Sequence, residues 1–301
     1  MRIVIALGGN ALLQKKQPPE ADIQRHNILT AARAIADIAD GNELVITHGN
    51  GPQVGLLALQ AESYRGVKPY PLDVLDAESE GMLGYQIEQA LINALPEREV
   101  VALLTQVLVD QHDVAFSKPT KPIGGFYSQI EGLALREQRG WFLAEFEQGL
   151  RRLVPSPQPQ EIIELSAIRL LIDYGMLVVC GGGGGIPVIR DSSGNLSGVS
   201  AVIDKDLTSA LLATALGADI LLLLTDVDGV YQAWGKPEAR MLRQTTISEL
   251  HSRQFEAGTM APKIEAACRF AAVAGRCAYI GQLSQITEII ADQSGTKIVQ
   301  G

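Results

Sequence analysis

Ala201-Val202-Ile203-Asp204-Lys205-Asp206-Leu207-Thr208-Ser209-Ala210 joins an apolar run to two carboxylates flanking one lysine, and then to a segment compatible with helix as far as Leu216. Ahead of it, Leu177-Val178-Val179-Cys180 reads as a strand closed by five glycines, Gly181 to Gly185. Such a run carries a large backbone-entropy cost, and flexible linkers usually mix Gly with Ser. Apolar residues flank it here, so close contact with a ligand is the better explanation. For Asp204-Lys205-Asp206 two readings stay open. One is a solvated turn with helix-capping aspartates, since Asp is favoured at N-caps. The other is a point where a cation and an anion-binding ammonium meet, as a nucleotide phosphate would require.

The same grammar recurs outward from this stretch. Arg2 to Leu7 is apolar and β-branched and runs into Gly8-Gly9-Asn10; Glu43 to Thr47 runs into His48-Gly49-Asn50-Gly51-Pro52-Gln53-Val54-Gly55. Helical spacing follows in each case, at Ile23 to Ile38 and at Leu56 to Glu62, and again at Leu75 to Leu95 and Ile162 to Tyr174. Val100 to Val109 reads as one core strand, and Ile186–Ile189 with Val199–Ile203 as a hairpin around Asp191 to Gly198. Ala218 to Thr225, Arg276 to Ile280 and Thr296 to Val299 read as further strands; Thr246 to Gln254, Pro262 to about Ala274 and Ile286 to Ile290 read as helices. Alternation of strand, glycine turn and helix predicts an α/β fold with a mainly parallel sheet and helices on both faces. Ligands of such sheets sit at the carboxyl ends of the strands. Three glycine turns at that edge make an anion site there more credible than any one of them does.

Residues 112–159 depart from the pattern. Lys118-Pro119-Thr120-Lys121-Pro122-Ile123-Gly124-Gly125 and Arg151-Arg152-Leu153-Val154-Pro155-Ser156-Pro157-Gln158-Pro159 are stiffened by proline, with a charged helical stretch, Ser128 to Leu150, between them. They read as a small subdomain or lid inserted in a domain spanning 1–301, or as an ordinary solvated insert. Lys263 falls in the first turn of its helix, where a lysine works against the helix dipole. Either it snorkels to solvent or an anion sits in front of it. Tyr231 or Trp234, after Asp226-Val227-Asp228-Gly229, could lie on a base.

The net charge of -9 repels polyanions, so nucleic acid and anionic membrane are poor partners. With 5% aromatic residues the chain offers little for base stacking. The three cysteines, Cys180, Cys268 and Cys277, make neither a disulfide framework nor a zinc spacing, and no apolar run approaches transmembrane length. The expectation is a cytoplasmic protein. There is no G-x-x-x-x-G-K-[ST], and Gly49 to Gly55 misses the dinucleotide fingerprint by one residue with no suitably placed acid after it.

Seven segments in order carry a resemblance over nearly the whole chain: Ala6 to Ala11, His48 to Gly55, Pro119 to Gly124, Arg152 to Pro157, Gly181 to Val188, Ala201 to Leu207, and Met260 to Ala266. Together they resemble carbamate kinase, in the amino acid kinase superfamily. The resemblance implies a three-layer α/β/α sandwich with a small protruding subdomain, a homodimer, Mg2+ with ATP or ADP, and reversible phosphoryl transfer between ATP and carbamate. It implies that Lys205 and Lys263 neutralise the moving phosphoryl group, that Asp206 orients both, and that Lys121 reaches over carbamate. Gly8, Gly9 and Asn10 would face the phosphates, and Gly49, Asn50 and Gly51 the carbamate. Gly182, Gly183, Asp204, Tyr231 and Met260 would face the nucleotide, with the metal carried on nucleotide oxygens and no protein ligands named. Four departures accompany the match: Glu147 to Leu150 for a Gly-Arg-Gly-Trp segment, Gln158 for lysine, Glu80 for glutamine and Ser200 for glutamate. They bear on closure and fine substrate choice. The competing readings are a related kinase with another small acceptor, a nucleotide-binding sensor without turnover, and a nicotinamide dehydrogenase.

Overall fold

Arg2–Leu7 lies inside an eight-stranded sheet because alternate residues of an apolar strand can serve two cores at once. Val4 and Ala6 join one apolar cluster with Val45, Val178, Leu221 and Leu223. Ile3, Ile5 and Leu7 join the other with Leu44, Ile46, Leu222 and Leu224. Helices Leu165–Asp173, Lys205–Leu216 and Met260–Ala271 contribute to the first cluster; Ala21–Ala36, Leu72–Ala94 and Ile286–Ile290 contribute to the second. The result is the three-layer α/β/α sandwich. Each fully buried Leu or Ile in it stabilises the fold by roughly 1.5–3 kcal/mol. This computed structural model describes all residues except 14–16, 65, 253–259 and 274, and at Asn10 and Ala11 it describes the backbone alone.

The strand order is Val100–Ala102, Leu177–Val179, Glu43–His48, Arg2–Leu7, Ile220–Thr225, Cys277–Gln282, Thr296–Val299, Gln244–Thr246. All neighbours are parallel except Cys277–Gln282 with Thr296–Val299. Leu7 is paired with both His48 and Leu224, so the turns that follow these strands emerge side by side. Among the described residues no helix is long and apolar enough to cross a membrane.

Several expected elements are corrected. Val100 to Val109 is two strands. After Val100–Ala102 the Thr105 amide is taken by the Glu80 carboxyl and its hydroxyl accepts from Gly181, so the chain leaves the main sheet. Gln106–Val109 then pairs with Ile186–Arg190 and Pro159–Ile162 in a second sheet. Ile186–Arg190 does form a hairpin, but with Leu196–Gly198; Val199 still donates to Pro187 O, then the chain leaves that ladder and the Val202 amide donates to Pro155 O. Gly9–Leu12 is a single helical turn. The helix begun at Thr246 is Ile247–His251, and 253–254 lie outside the described residues; the Lys263 helix ends at Ala271, and 274 lies outside them too.

The 112–159 region folds as a three-stranded antiparallel sheet, Lys121–Tyr127, Gly149–Val154 and Phe142–Phe146, with one helix, Gln129–Arg139. Ser128 and Glu131 cap that helix reciprocally, and Gly140, at φ 66°, ends it eleven residues on. The helical reading of Ser128 to Leu150 holds to Arg139; beyond it, and in place of the loop reading of Arg151 to Pro159 as far as Val154, stands a hairpin. Ile123 and Val154 pack on Val54, Ala58, Leu72, Leu75 and Val202 of the main body.

Candidate active site

Asp204 resolves the first ambiguity. It is the N-cap of Lys205–Leu216, its carboxylate accepting from the Asp206 amide at 2.9 Å. That places Lys205 and Asp206 in the first turn, where both are buried. Lys205 Nζ donates to Asp206 Oδ1, and Lys263 Nζ, from the first turn of Met260–Ala271, donates to Asp206 Oδ2 at 2.9 Å. The anion in front of Lys263 is therefore Asp206. Burial pushes the Asp206 carboxyl up, but the two ammonium groups outweigh it and hold it below the usual carboxylate range. Burial also lowers the Lys205 ammonium, with Asp206 opposing. Two cations on one anion leave the trio one positive charge in excess, in surroundings where charge is little screened.

The first two glycine turns meet this trio. Gly8 N continues the ladder to Leu224 O at 3.1 Å, and Gly49 N to Leu7 O at 3.0 Å. A Cβ at Gly8 would lie 2.6 Å from Leu224 O, and one at Gly49 would lie 3.1 Å from Gly9 N and 3.5 Å from Lys205 Cδ. A Cβ at Gly9 or Gly51 would meet nothing within 4 Å, so those two faces of the cradle stay open. The side chain of Asn10 lies outside the described residues. Lys121, from the inserted sheet, donates to Ile203 O at 2.7 Å and stands 3.9 Å from the Asp204 carboxylate. Met260 opens the Lys263 helix. Tyr231 follows Ile220–Thr225 at the same sheet edge, its hydroxyl donating to Asp228 and its ring edge-on to Trp234 at 5.1 Å.

The five-glycine run is closely packed. Its close approach is to protein, not to open space: a Cβ at Gly182 would run into His48 and Glu80, one at Gly183 into the Asn50 amide, and one at Gly184 into Ile203 O. Gly182 and Gly183 are buried, and their Cα faces are taken by these side chains. Asn50 is buried as well, and its amide nitrogen donates to Asp76 Oδ1 at 3.1 Å and Ser79 Oγ at 2.8 Å. What the Gly49-Asn50-Gly51 turn can offer a ligand is therefore backbone and Asn50 Oδ1.

Beneath that turn lies a buried polar layer that the sequence reading missed as a unit. Glu80 accepts from the Gly182 amide at 2.8 Å and from the Thr105 amide at 3.2 Å, beside His48. Burial lowers the His48 imidazole to about 4, so it is neutral at pH 7. Burial raises Asp76 and Glu80 to about 8 each. The available signal was spacing: Asp76, Ser79 and Glu80 share the inward face of Leu72–Ala94 with Leu72, Leu83 and Ile87.

A pH dependence follows. Between the unfolded carboxyl value near 4 and the folded value near 8, the folded state holds the proton more tightly. Each group then makes stability fall as pH rises through that window, by up to ~1.4 kcal/mol per pH unit, with no further slope above it. Asp76→Asn keeps an acceptor for Asn50 and removes one titration. Urea unfolding from pH 5 to 8 is expected to show a shallower decline in the variant than in the parent. Parallel declines would mean that Asp76 is ionised throughout.

A buried Lys–Asp–Lys cluster thus stands at the carboxyl edge of an α/β/α sheet, beside two glycine turns. The chain belongs to the amino acid kinase family, whose model matches residues 1–282, and it is accordingly an ATP-dependent phosphotransferase. Relatives that it matches over nearly their full length include carbamate kinases. It is 48% identical to carbamate kinase of Haemophilus influenzae, over 100% of this chain and 97% of that protein. It is 49% identical to carbamate kinase of Rhizobium meliloti, over 99% and 93%. Among solved structures, carbamate kinase from Giardia lamblia bound to AMP-PNP superposes with a TM-score of 0.93 at 41% identity, covering 100% of this chain and 98% of that one.

Proposed function

We propose that the chain transfers a phosphoryl group between ATP and carbamate, giving ADP and carbamoyl phosphate, and that it works in the ATP-forming direction in nitrogen catabolism. The observation that supports this most is the pair of ammonium groups held on one buried carboxylate beside the Gly8-Gly9 and Gly49 turns. In the ATP-forming direction an ADP oxygen bonds to the phosphorus of carbamoyl phosphate while the bond to the carbamate oxygen breaks, and carbamate leaves with that electron pair. No covalent enzyme intermediate is needed; positioning and charge stabilisation suffice. Lys205 and Lys263 neutralise the charge that spreads over the phosphoryl oxygens. Asp206 keeps two like charges close without letting them collapse apart. Open backbone at Gly9 and Gly51 faces the phosphate and the acceptor, and Lys121 reaches the acceptor side from the inserted sheet. Tyr231, Met260 and the Asp204 cap stand on the nucleotide side.

Among the described residues no three His, Cys, Asp or Glu side chains converge as a metal cage, and both Asp206 oxygens already accept from lysines. Magnesium would be carried on the nucleotide's oxygens, its usual mode with phosphates. A homodimer in the cytoplasm completes the reading, on the resemblance alone.

Purified protein given ADP, Mg2+ and carbamoyl phosphate is expected to form ATP, read by luciferase. No ATP despite ADP binding would transfer the reading to another small acceptor, or to a sensor. Lys121→Ala tests the role of the insert. It is expected to raise KM for carbamoyl phosphate by about tenfold, the equivalent of one charge-assisted hydrogen bond, with a smaller effect on KM for ADP. Equal changes in both constants, or none, would remove Lys121 from the acceptor side.

A further inference from the structure

A second charged cavity, of about 220 Å³, lies where the inserted sheet meets the main body. It is far larger than the roughly 10–15 Å³ that one water needs. Arg139, Trp141 and Arg152 line it from the insert, and Glu62, Lys68 and Ser200 from the body. Val54, Leu75, Ile123 and Val202 form the apolar cluster at this junction, whereas Lys205 and Lys263 stand with Asp206 at the sheet edge. Lys121 and Arg152 are on paired strands of the same small sheet, but Lys121 turns to Ile203 and Asp204 and is not part of the cavity lining.

The chemistry of the lining is that of an anion receptor with one internal anion already in it. Glu62 Oε1 lies 3.3 Å from Arg139 and 3.6 Å from Arg152, and its side chain is 16% exposed. Neither contact has the short parallel geometry of a bidentate arginine–carboxylate pair. Arg152 lies over the Trp141 ring, 4.2 Å from its centroid, and Arg139 at 5.4 Å, so one indole ring contacts both guanidinium groups. Three cationic side chains line the space with one carboxylate among the described lining residues. Burial raises the Glu62 carboxyl, with both arginines opposing. A carboxylate held at one oxygen and partly desolvated is a weak occupant of a two-arginine site.

We propose that this cavity binds a small oxyanion, a carboxylate or a phosphate, which displaces Glu62 from Arg139 and Arg152 against the Trp141 wall. Planar or tetrahedral oxyanions can take both guanidinium forks at once, which Glu62 does not. Ser200 supplies a hydroxyl donor on the body side, and Lys68 a further cation. The inference stands apart from the identity of the kinase substrate, since none of these six side chains belongs to the Lys205–Asp206–Lys263 cluster.

The chain has two tryptophans, so in a Trp234→Phe background the emission of Trp141 reports on the stacked arginines directly. Sodium succinate and sodium phosphate would be titrated separately, each against sodium chloride at matched ionic strength. A saturable change with either oxyanion and none with chloride is expected, and which of the two saturates at lower concentration distinguishes a carboxylate site from a phosphate site. Adding Arg152→Met is expected to weaken the midpoint about tenfold or more. Adding Glu62→Gln, which removes the internal competitor and keeps the side chain's shape, is expected to tighten it severalfold. Adding Lys205→Ala should leave it in place. An equal response to chloride, loss of the response with Lys205→Ala, or an unmoved midpoint in Glu62→Gln would each overturn the proposal. The last needs no arginine variant to fold.

Discussion

Replacing Lys205 by alanine is expected to lower kcat by a factor of about 100 or more, equivalent to roughly 2.7 kcal/mol of transition-state stabilisation. The trio of Lys205, Asp206 and Lys263 carries one excess positive charge; without Lys205 it carries none, just where phosphoryl oxygens gather charge. Because the ammonium is buried, water cannot take its place as it would at a surface. Lys205→Arg is expected to rescue little. The Lys205 ammonium is a compact point charge held on one oxygen of Asp206, a position that a planar guanidinium fork does not reproduce. The measurement is steady-state ATP formation from ADP and carbamoyl phosphate, with thermal unfolding to confirm that the variants fold. A folded Lys205→Ala enzyme within a few-fold of parental kcat would remove Lys205 from the chemistry and point to Lys263 or to backbone donors.

What the sequence made legible is what local pattern controls. The apolar strands at Arg2, Glu43, Leu177 and Ile220, each stopped by glycine or by a carboxylate, gave the parallel sheet, because side-chain period and turn chemistry are written within a few residues. The Asp204 cap and the place of Lys263 in a first turn were legible for the same reason. Partnership across the chain was not. Asp206 and Lys263 are 57 residues apart, and no spacing rule brings them together; the resemblance suggested the pair and the fold supplies the contact. The packing of His48 and Asn50 against the five glycines was not legible, because a glycine demanded by a neighbouring side chain leaves the same trace as one demanded by a ligand. The strand pair of the insert was hidden by the charge of its flanks: Phe142–Phe146 alternates over five residues only, next to a strongly charged helix. Glu62 with its two arginines had no local signature at all.

Asp206→Asn should expose how much of the site's stability rests on one anion. The parent holds two ammonium groups against a single buried carboxylate, with hydrogen bonds to both of its oxygens. Asparagine keeps the shape, but removes the charge and turns one acceptor into a donor facing a lysine. Breaking a buried ion pair by removing one partner costs about 3–5 kcal/mol, and here the survivors are two like charges. The pH response separates this from ordinary packing damage. In the parent, the lowered Asp206 value means that its contribution is present above the unfolded carboxyl value and is lost only as pH falls through the folded one. In the variant Lys205 has lost the group that opposed burial, so its folded-state value drops further below the unfolded value near 10.4. Between those values the unfolded chain binds more protons than the folded one, and stability must rise with pH. Urea unfolding at pH 7 and 9.5 is therefore expected to show the variant several kcal/mol below the parent at the lower pH and recovering part of that gap at the higher one, while turnover stays low at both. A loss below about 1 kcal/mol with no recovery would mean that water or a bound anion already shields the two lysines, and that Asp206 orients them without holding them in place.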